Sequence, residues 1–176
     1  MSDEEKKTLL SLARNAIAKS LGLPYQNIDA SNYDERKGAF VTLHKDNKLR
    51  GCIGYLLSTK PLYKQIEDLA IESAFYDPRF LPLEKDEFPF IKIEISIMSE
   101  PKKINDLSEF VLSRDGIILR LNSYHSVFLP QVADETHWSK EELLQALCKK
   151  AGLPLDSYKR DDVEFMTFNA EVFHDL

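Results

Sequence analysis

The chain has 176 residues, of which 43% are hydrophobic and 30% charged, enough for one sizeable core or a main layer with a smaller lobe, so one domain is expected. A net charge of −6, from 23 Lys plus Arg against 29 Asp plus Glu, excludes a broadly basic face, so no nucleic-acid partner is expected. No apolar run approaches the roughly 20 residues of a membrane span. The start MSDEEKKTLL lacks the apolar core of a signal peptide, and Cys52 and Cys148 are too few for a disulfide framework or zinc site; a cytoplasmic protein with reduced thiols and no metal is expected.

Leu9, Leu10, Ala13, Ile17 and Leu21 recur at helical spacing over residues 3–21, after an acidic start that suits the positive end of a helix, and Gly22 and Pro24 close it. Residues 25–37 read as a polar loop. Residues 38–44 are rich in β-formers and precede the turn chemistry of Lys45-Asp46-Asn47-Lys48, so they form a hairpin with the strand that follows. A four-residue loop pairs His44 with Leu49 and Val41 with Cys52, which sets His44 on the face opposite the thiol; a shift of one residue reverses that placement.

A second helix is expected from Ser58-Thr59-Lys60-Pro61, with a hydroxyl cap and a buried stripe of Leu62, Ile66, Leu69, Ala70 and Ala74. It ends at Asp77-Pro78-Arg79-Phe80, where proline fixes a turn that can aim Arg79, either at Asp77 or at a ligand. Residues 90–97 alternate strictly and are the clearest strand; they belong at the centre of an antiparallel sheet of about five or six strands. A short helix is expected over 106–112, a hairpin around Asn122-Ser123, a helix from the capping box of Ser139 and Glu142 to Ala151, and a closing strand over 162–173.

The stretch Leu49-Arg50-Gly51-Cys52-Ile53-Gly54 stands out because two glycines interrupt a strand, which marks a bulge or a close approach by another backbone or a ligand. Strict alternation puts Arg50, Cys52 and Gly54 on one face, with the guanidinium beside the sulfur, where a cation favours thiolate over thiol. Cys52 therefore has two readings: a small buried strand residue, or a reactive thiol.

Taken together, GAFVTLH (38–44), LRGCIG (49–54), DPRF (77–80), EISIMSEP (94–101), FLPQV (128–132) and Trp138 leading into EELLQALCKKAGLP (141–154) resemble the AMMECR domain family over almost the whole chain. The residues before DPRF depart from the alanine-rich pattern more usual there. The resemblance implies an α/β (α+β) protein, an antiparallel sheet with packed helices in a single domain of two unequal lobes, with LRGCIG lining a cleft between them. It also implies partnership with Memo-like and radical SAM proteins. No biochemical activity and no cofactor follow from it.

Two functions compete on these residues, and the coincidence of cation, thiol and backbone access favours a catalytic or ligand-handling cleft over a pure adaptor. In a thiol-dependent enzyme Cys52 is the nucleophile, Arg50 stabilises its thiolate and Arg79 clamps a small anionic substrate, with His44 and His125 as the candidate bases. In a binding or adaptor module Gly51 and Gly54 admit a partner backbone, while the arginines read a carboxylate or phosphate. Arg50 and Arg79 are expected to converge on one anion site, because the 49–54 strand and the DPRF turn flank the same helix.

Overall fold

The computed structural model describes residues 1–175, which divide into two compact units, Met1–Met98 with the residues from Glu171 onward, and Ser99–Ala170. Each is a four-stranded sheet with helices, and every pairing resolved residue by residue is antiparallel. The single sheet of five or six strands expected from the sequence is thus two smaller ones.

In the first unit α1 (Asp3–Ser20) starts on a capping box between Ser2 and Glu5 and buries Leu9, Leu10, Leu12, Ala13, Ile17 and Ala18. Strands β1 (Ala39–Lys45) and β2 (Lys48–Tyr55) form the expected hairpin, followed by α2 (Leu62–Phe75) and β3 (Ile91–Met98). Strand order is β2-β1-β3-β8, with β8 (Ala170–His174) supplied by the end of the chain. Ala39, Val41 and Leu43 of β1 and the four isoleucines of β3 pack with both helices in one core. Arg14 of α1 ties down the far edge, donating to Asp175 at 2.8 Å and to the Ile91 carbonyl at 2.6 Å.

The second unit contains β4 (Lys102–Ile104), β5 (Gly116–Leu121), β6 (Tyr124–Phe128) and β7 (Glu164–Phe168), in the order β4-β7-β5-β6, with α3 (Val132–Thr136) and α4 (Lys140–Ala151). Leu143, Leu144, Leu147 and Cys148 of α4 are buried with Ile117, Leu119 and Phe165. Cys148 is a packing residue.

Four local expectations are corrected. The helix over 106–112 is a single 3₁₀ turn, Leu107–Glu109, because the Asp106 and Glu109 side chains close it on themselves. The strand over 162–173 breaks at Asn169 into β7 and β8, which join different sheets. α2 begins after Pro61 with no side-chain cap; the Ser58 hydroxyl instead donates to the side-chain oxygen of Gln65 at 2.9 Å. The first hairpin turns on two residues, Asp46 and Asn47, both left-handed (φ 52° and 60°), the geometry whose twist suits a two-residue loop.

A bulge beyond that turn moves the register. His44 still faces Leu49, but Leu43 faces Gly51, leaving Arg50 as the extra residue of a β-bulge. Cys52 consequently pairs with Thr42 rather than Val41. β1 pairs with β3 without interruption, so Thr42 and His44 lie on one face, and that is the face of the thiol. The expectation that His44 lies opposite Cys52 is overturned.

Candidate functional site

Cys52 sits on β2, the edge strand of its sheet, and is half-buried. Its sulfur lies 3.1 Å from the Thr42 hydroxyl oxygen across the ladder. Glu94 of β3 faces Thr42 from the other side, so Cys52, Thr42 and Glu94 make one row on the sheet face turned away from the helices. His44 and Lys92 form the next row.

The backbone of Cys52 is held by the DPRF turn. Its N–H donates to Asp77 Oδ2 at 2.9 Å, and its carbonyl accepts from Arg79 Nη2 at 3.3 Å. Arg79 in turn donates to both oxygens of Asp77, from Nε at 3.0 Å and Nη2 at 2.7 Å. The pair therefore presents an acceptor and a donor where a neighbouring strand would, which covers the open edge of the sheet at this residue. Asp77 is buried while Arg79 keeps 56% of its side chain exposed. The hydrogen bond from Arg79 holds the Asp77 carboxyl far below the usual carboxylate range, against the opposing effect of burial.

Arg50 is not the partner of the thiol. Displaced by the bulge, its guanidinium donates to Glu87 at 3.0 and 3.2 Å and to the Leu81 carbonyl at 2.8 Å, and Lys45 reaches the same carboxylate at 3.2 Å. The Arg50 hydrogen bond draws Glu87 down to about 2. The cation that acts on Cys52 is Arg79. Burial pushes the thiol up, and the Thr42 hydrogen bond and the Arg79 charge offset that only in part. Arg50 and Arg79 do approach one group, since their guanidinium carbons lie 5.9 and 5.5 Å from the Phe80 ring centroid. They converge on an aromatic face, each already carrying its own carboxylate, rather than on an open anion site.

The glycines are explained by the fold. A Cβ on Gly51 would stand 2.1 Å from the Ser73 carbonyl oxygen, so α2 can lie this close to β2 only where the strand has no side chain. One on Gly54 would meet the Phe40 ring at 2.3 Å. The close approach expected at both is that of the protein's own groups. His125 lies on β6 of the second unit, exposed, with its Nδ1 3.4 Å from the Ser123 carbonyl oxygen.

Sequence reasoning missed Thr42, Ser73, Glu87 and Glu94. The Ser73 hydroxyl accepts from the Ile53 N–H at 3.0 Å and donates to the Val41 carbonyl at 2.7 Å, bridging two residues that face each other across the hairpin. Its one signal was a hydroxyl inside the apolar stripe of α2, between Leu69 and Ala74. Among the described residues no group of three His, Cys, Asp or Glu side chains is placed to hold a metal ion, and no helix is long and apolar enough to cross a membrane.

The AMMECR1 family model matches residues 10–173. A protein of Methanothermobacter thermautotrophicus is 36% identical over an alignment taking in 99% of this chain and 96% of the relative. One of Methanopyrus kandleri is 39% identical, with 98% of this chain and 89% of the relative covered. The crystal structure of an uncharacterized protein from Pyrococcus horikoshii superposes with a TM-score of 0.81 at 34% identity, covering 99% of this chain and 93% of that one. With the family match running through both units and the fold shared with a solved relative, this chain belongs to the AMMECR1 family.

Proposed function

We propose that the chain is a non-catalytic binding component, which holds a ligand or partner on the sheet face around Cys52, Thr42 and Glu94 and at the exposed Arg79 beside it. The observation that carries this reading is the state of the thiol: half-buried, hydrogen-bonded to Thr42 and pushed up by burial, it is the protonated form that the surroundings favour. A nucleophile needs the opposite. The cations that could supply it are committed, Arg50 to Glu87 and Arg79 to Asp77. Memo-like and radical SAM proteins, the partners implied by the family resemblance, belong to this proposal as its candidate occupants.

Thiol-dependent chemistry is the second reading. It draws support from the Arg79 charge, which does favour the thiolate, and from His44 lying on the same sheet face as the sulfur.

The pH dependence of Cys52 alkylation separates the two, with Cys148→Ala isolating the signal. In the binding reading Cys52 titrates above the ~8.5 of a free cysteine, Arg79→Ala raises it further, and Arg50→Ala leaves it in place. A midpoint below ~8.5 in the otherwise unaltered protein would overturn the binding reading and restore the nucleophile.

A further inference from the structure

β2 is an edge strand, and the DPRF turn covers its open edge at one residue only. The Cys52 N–H and carbonyl both point outward, since they meet Asp77 and Arg79, whereas the Ile53 N–H points inward, to the Ser73 hydroxyl that bridges it to Val41. Alternation then turns the N–H and carbonyl of Gly54 outward as well, beside those of Cys52. Among the described residues nothing takes up either Gly54 group on that side, and the residue is only half-buried. Leu56, the next position in the alternation, lies past the end of the strand with its carbonyl against Gly38. The open edge is therefore one residue long, and it stops at a closed one.

Arg79 stands at that stop. A guanidinium has five N–H donors; Nε gives its one to Asp77, and Nη2 gives its two to Asp77 and the Cys52 carbonyl. The donors of Nη1 are left without a partner among the described residues, on a side chain that is 56% exposed. The edge thus offers a donor and an acceptor to an extended backbone, and then a cation where that backbone has to end.

We propose that β2 takes up the C-terminus of a partner protein as a short added antiparallel strand, its penultimate residue exchanging both backbone hydrogen bonds with Gly54 and its terminal carboxylate on Arg79 Nη1. This deepens the binding reading given above and rests on it. Direction follows from charge: a chain that stops at Cys52 presents its carboxylate there if it runs antiparallel to β2, and its ammonium if it runs parallel. Length agrees, since two residues of strand span roughly 7 Å, so the last residue lies opposite Ile53 and its carboxylate comes level with Cys52. The penultimate side chain falls on the Gly54 face beside the Phe40 ring, where an apolar residue fits. An internal segment of a partner does not fit, because Asp77 and Arg79 already occupy the next rung.

The test is an NMR titration of the full chain with acetyl-Ala-Ala-Val-Ala as the free acid, alongside its C-terminal amide and the free acid methylated on the valine nitrogen, which cannot donate to the Gly54 carbonyl. The acid should shift the Gly54 amide proton saturably, and both analogues should bind at least about threefold more weakly. These comparisons leave the protein unaltered, so folding does not enter them. In Arg79→Gln, provided its fingerprint stays native, the acid should lose its advantage over the amide. The two failures separate: the binding reading of the site fails in the Cys52 alkylation midpoint, and strand addition fails at the Gly54 amide. No saturable shift at Gly54, equal binding of acid and amide, equal binding of the methylated peptide, or an acid advantage that persists in Arg79→Gln would overturn the proposal.

Discussion

The two hairpins of this protein start from the same element and end differently. β5 and β6 pair from Ile117 with Phe128 to Leu121 with Tyr124 without a break, around a two-residue turn that opens on left-handed Asn122. β1 and β2 also turn on two residues, yet the register slips by one between Leu43 and His44. The bulge expels Arg50 from the ladder, lets Gly51 face α2, and gives Cys52 a new opposite residue. A regular hairpin holds its strands together through its own ladder. The irregular one is held partly from outside: Ser73 bridges its strands, and Asp77 with Arg79 covers its edge. Long-range polar support collects where the ladder is broken.

Gly51→Ala tests that dependence most severely. Its methyl group would meet helix backbone at 2.1 Å, so β2 and α2 must separate, and we expect a loss of about 3–5 kcal/mol by urea unfolding. Gly116→Ala, at the start of the regular hairpin, meets the buried Phe168 ring at 2.2 Å, a side chain rather than helix backbone, and should cost less, about 1–3 kcal/mol. Equal losses would mean that the two hairpins depend on outside support alike.

Asp77→Asn comes next, at about 2 kcal/mol, because the Arg79 guanidinium it leaves behind can turn to water while the Cys52 N–H keeps only a weaker acceptor. The same region should dominate acid unfolding. Asp77 and Glu87 both lie below their ordinary values, so each contributes stability that is complete above about pH 5 and is lost as the pH falls, for Glu87 down through about 2. Urea midpoints between pH 5 and 2 should fall less steeply in Asp77→Asn and Glu87→Gln than in the parent. An unchanged slope would show that neither carboxylate is held by the fold.

The smallest effect is expected at Thr42→Val, which keeps the shape but removes the hydroxyl that pulls the Cys52 thiol down. Alkylation of Cys52 at pH 8 should slow about two- to threefold with stability changed by under about 1 kcal/mol. Faster alkylation would mean that Thr42 shields the sulfur rather than polarising it.

Much of this was readable in the residues. The alternation of Ile91, Ile93, Ile95 and Ile97 marked a strand whose isoleucine face is buried, although Ser96 and Met98 on the other face are buried too, and the Ser139 cap and Gly152 bracket α4 as observed. The paired glycines correctly marked a close approach, and Asp77 does hold Arg79. The face relations around Cys52 were not readable, because a bulge has no side-chain signature and a single extra residue inverts every later position. Nor could local pattern reveal Glu87, which finds Arg50 only after the chain has passed through α2 and the DPRF turn. The break at Asn169 escaped for a similar reason: Val163, Phe165 and Thr167 carry a strand pattern on both sides of a point where only the sheet partner changes.

That change of partner bears on how the chain is made. β3 ends at Met98, whereas β8, the strand that lies beside it, begins at Ala170, so on the ribosome the whole second unit emerges before the first sheet can close. Through that interval β3 presents an unpaired edge, and Arg14 waits for Asp175, the group to which it is finally tied. The second unit, whose strands all lie within residues 99–170, can complete its own sheet first. Folding during synthesis would then run from the middle outward, with the last strand acting as the latch on the unit that was begun first.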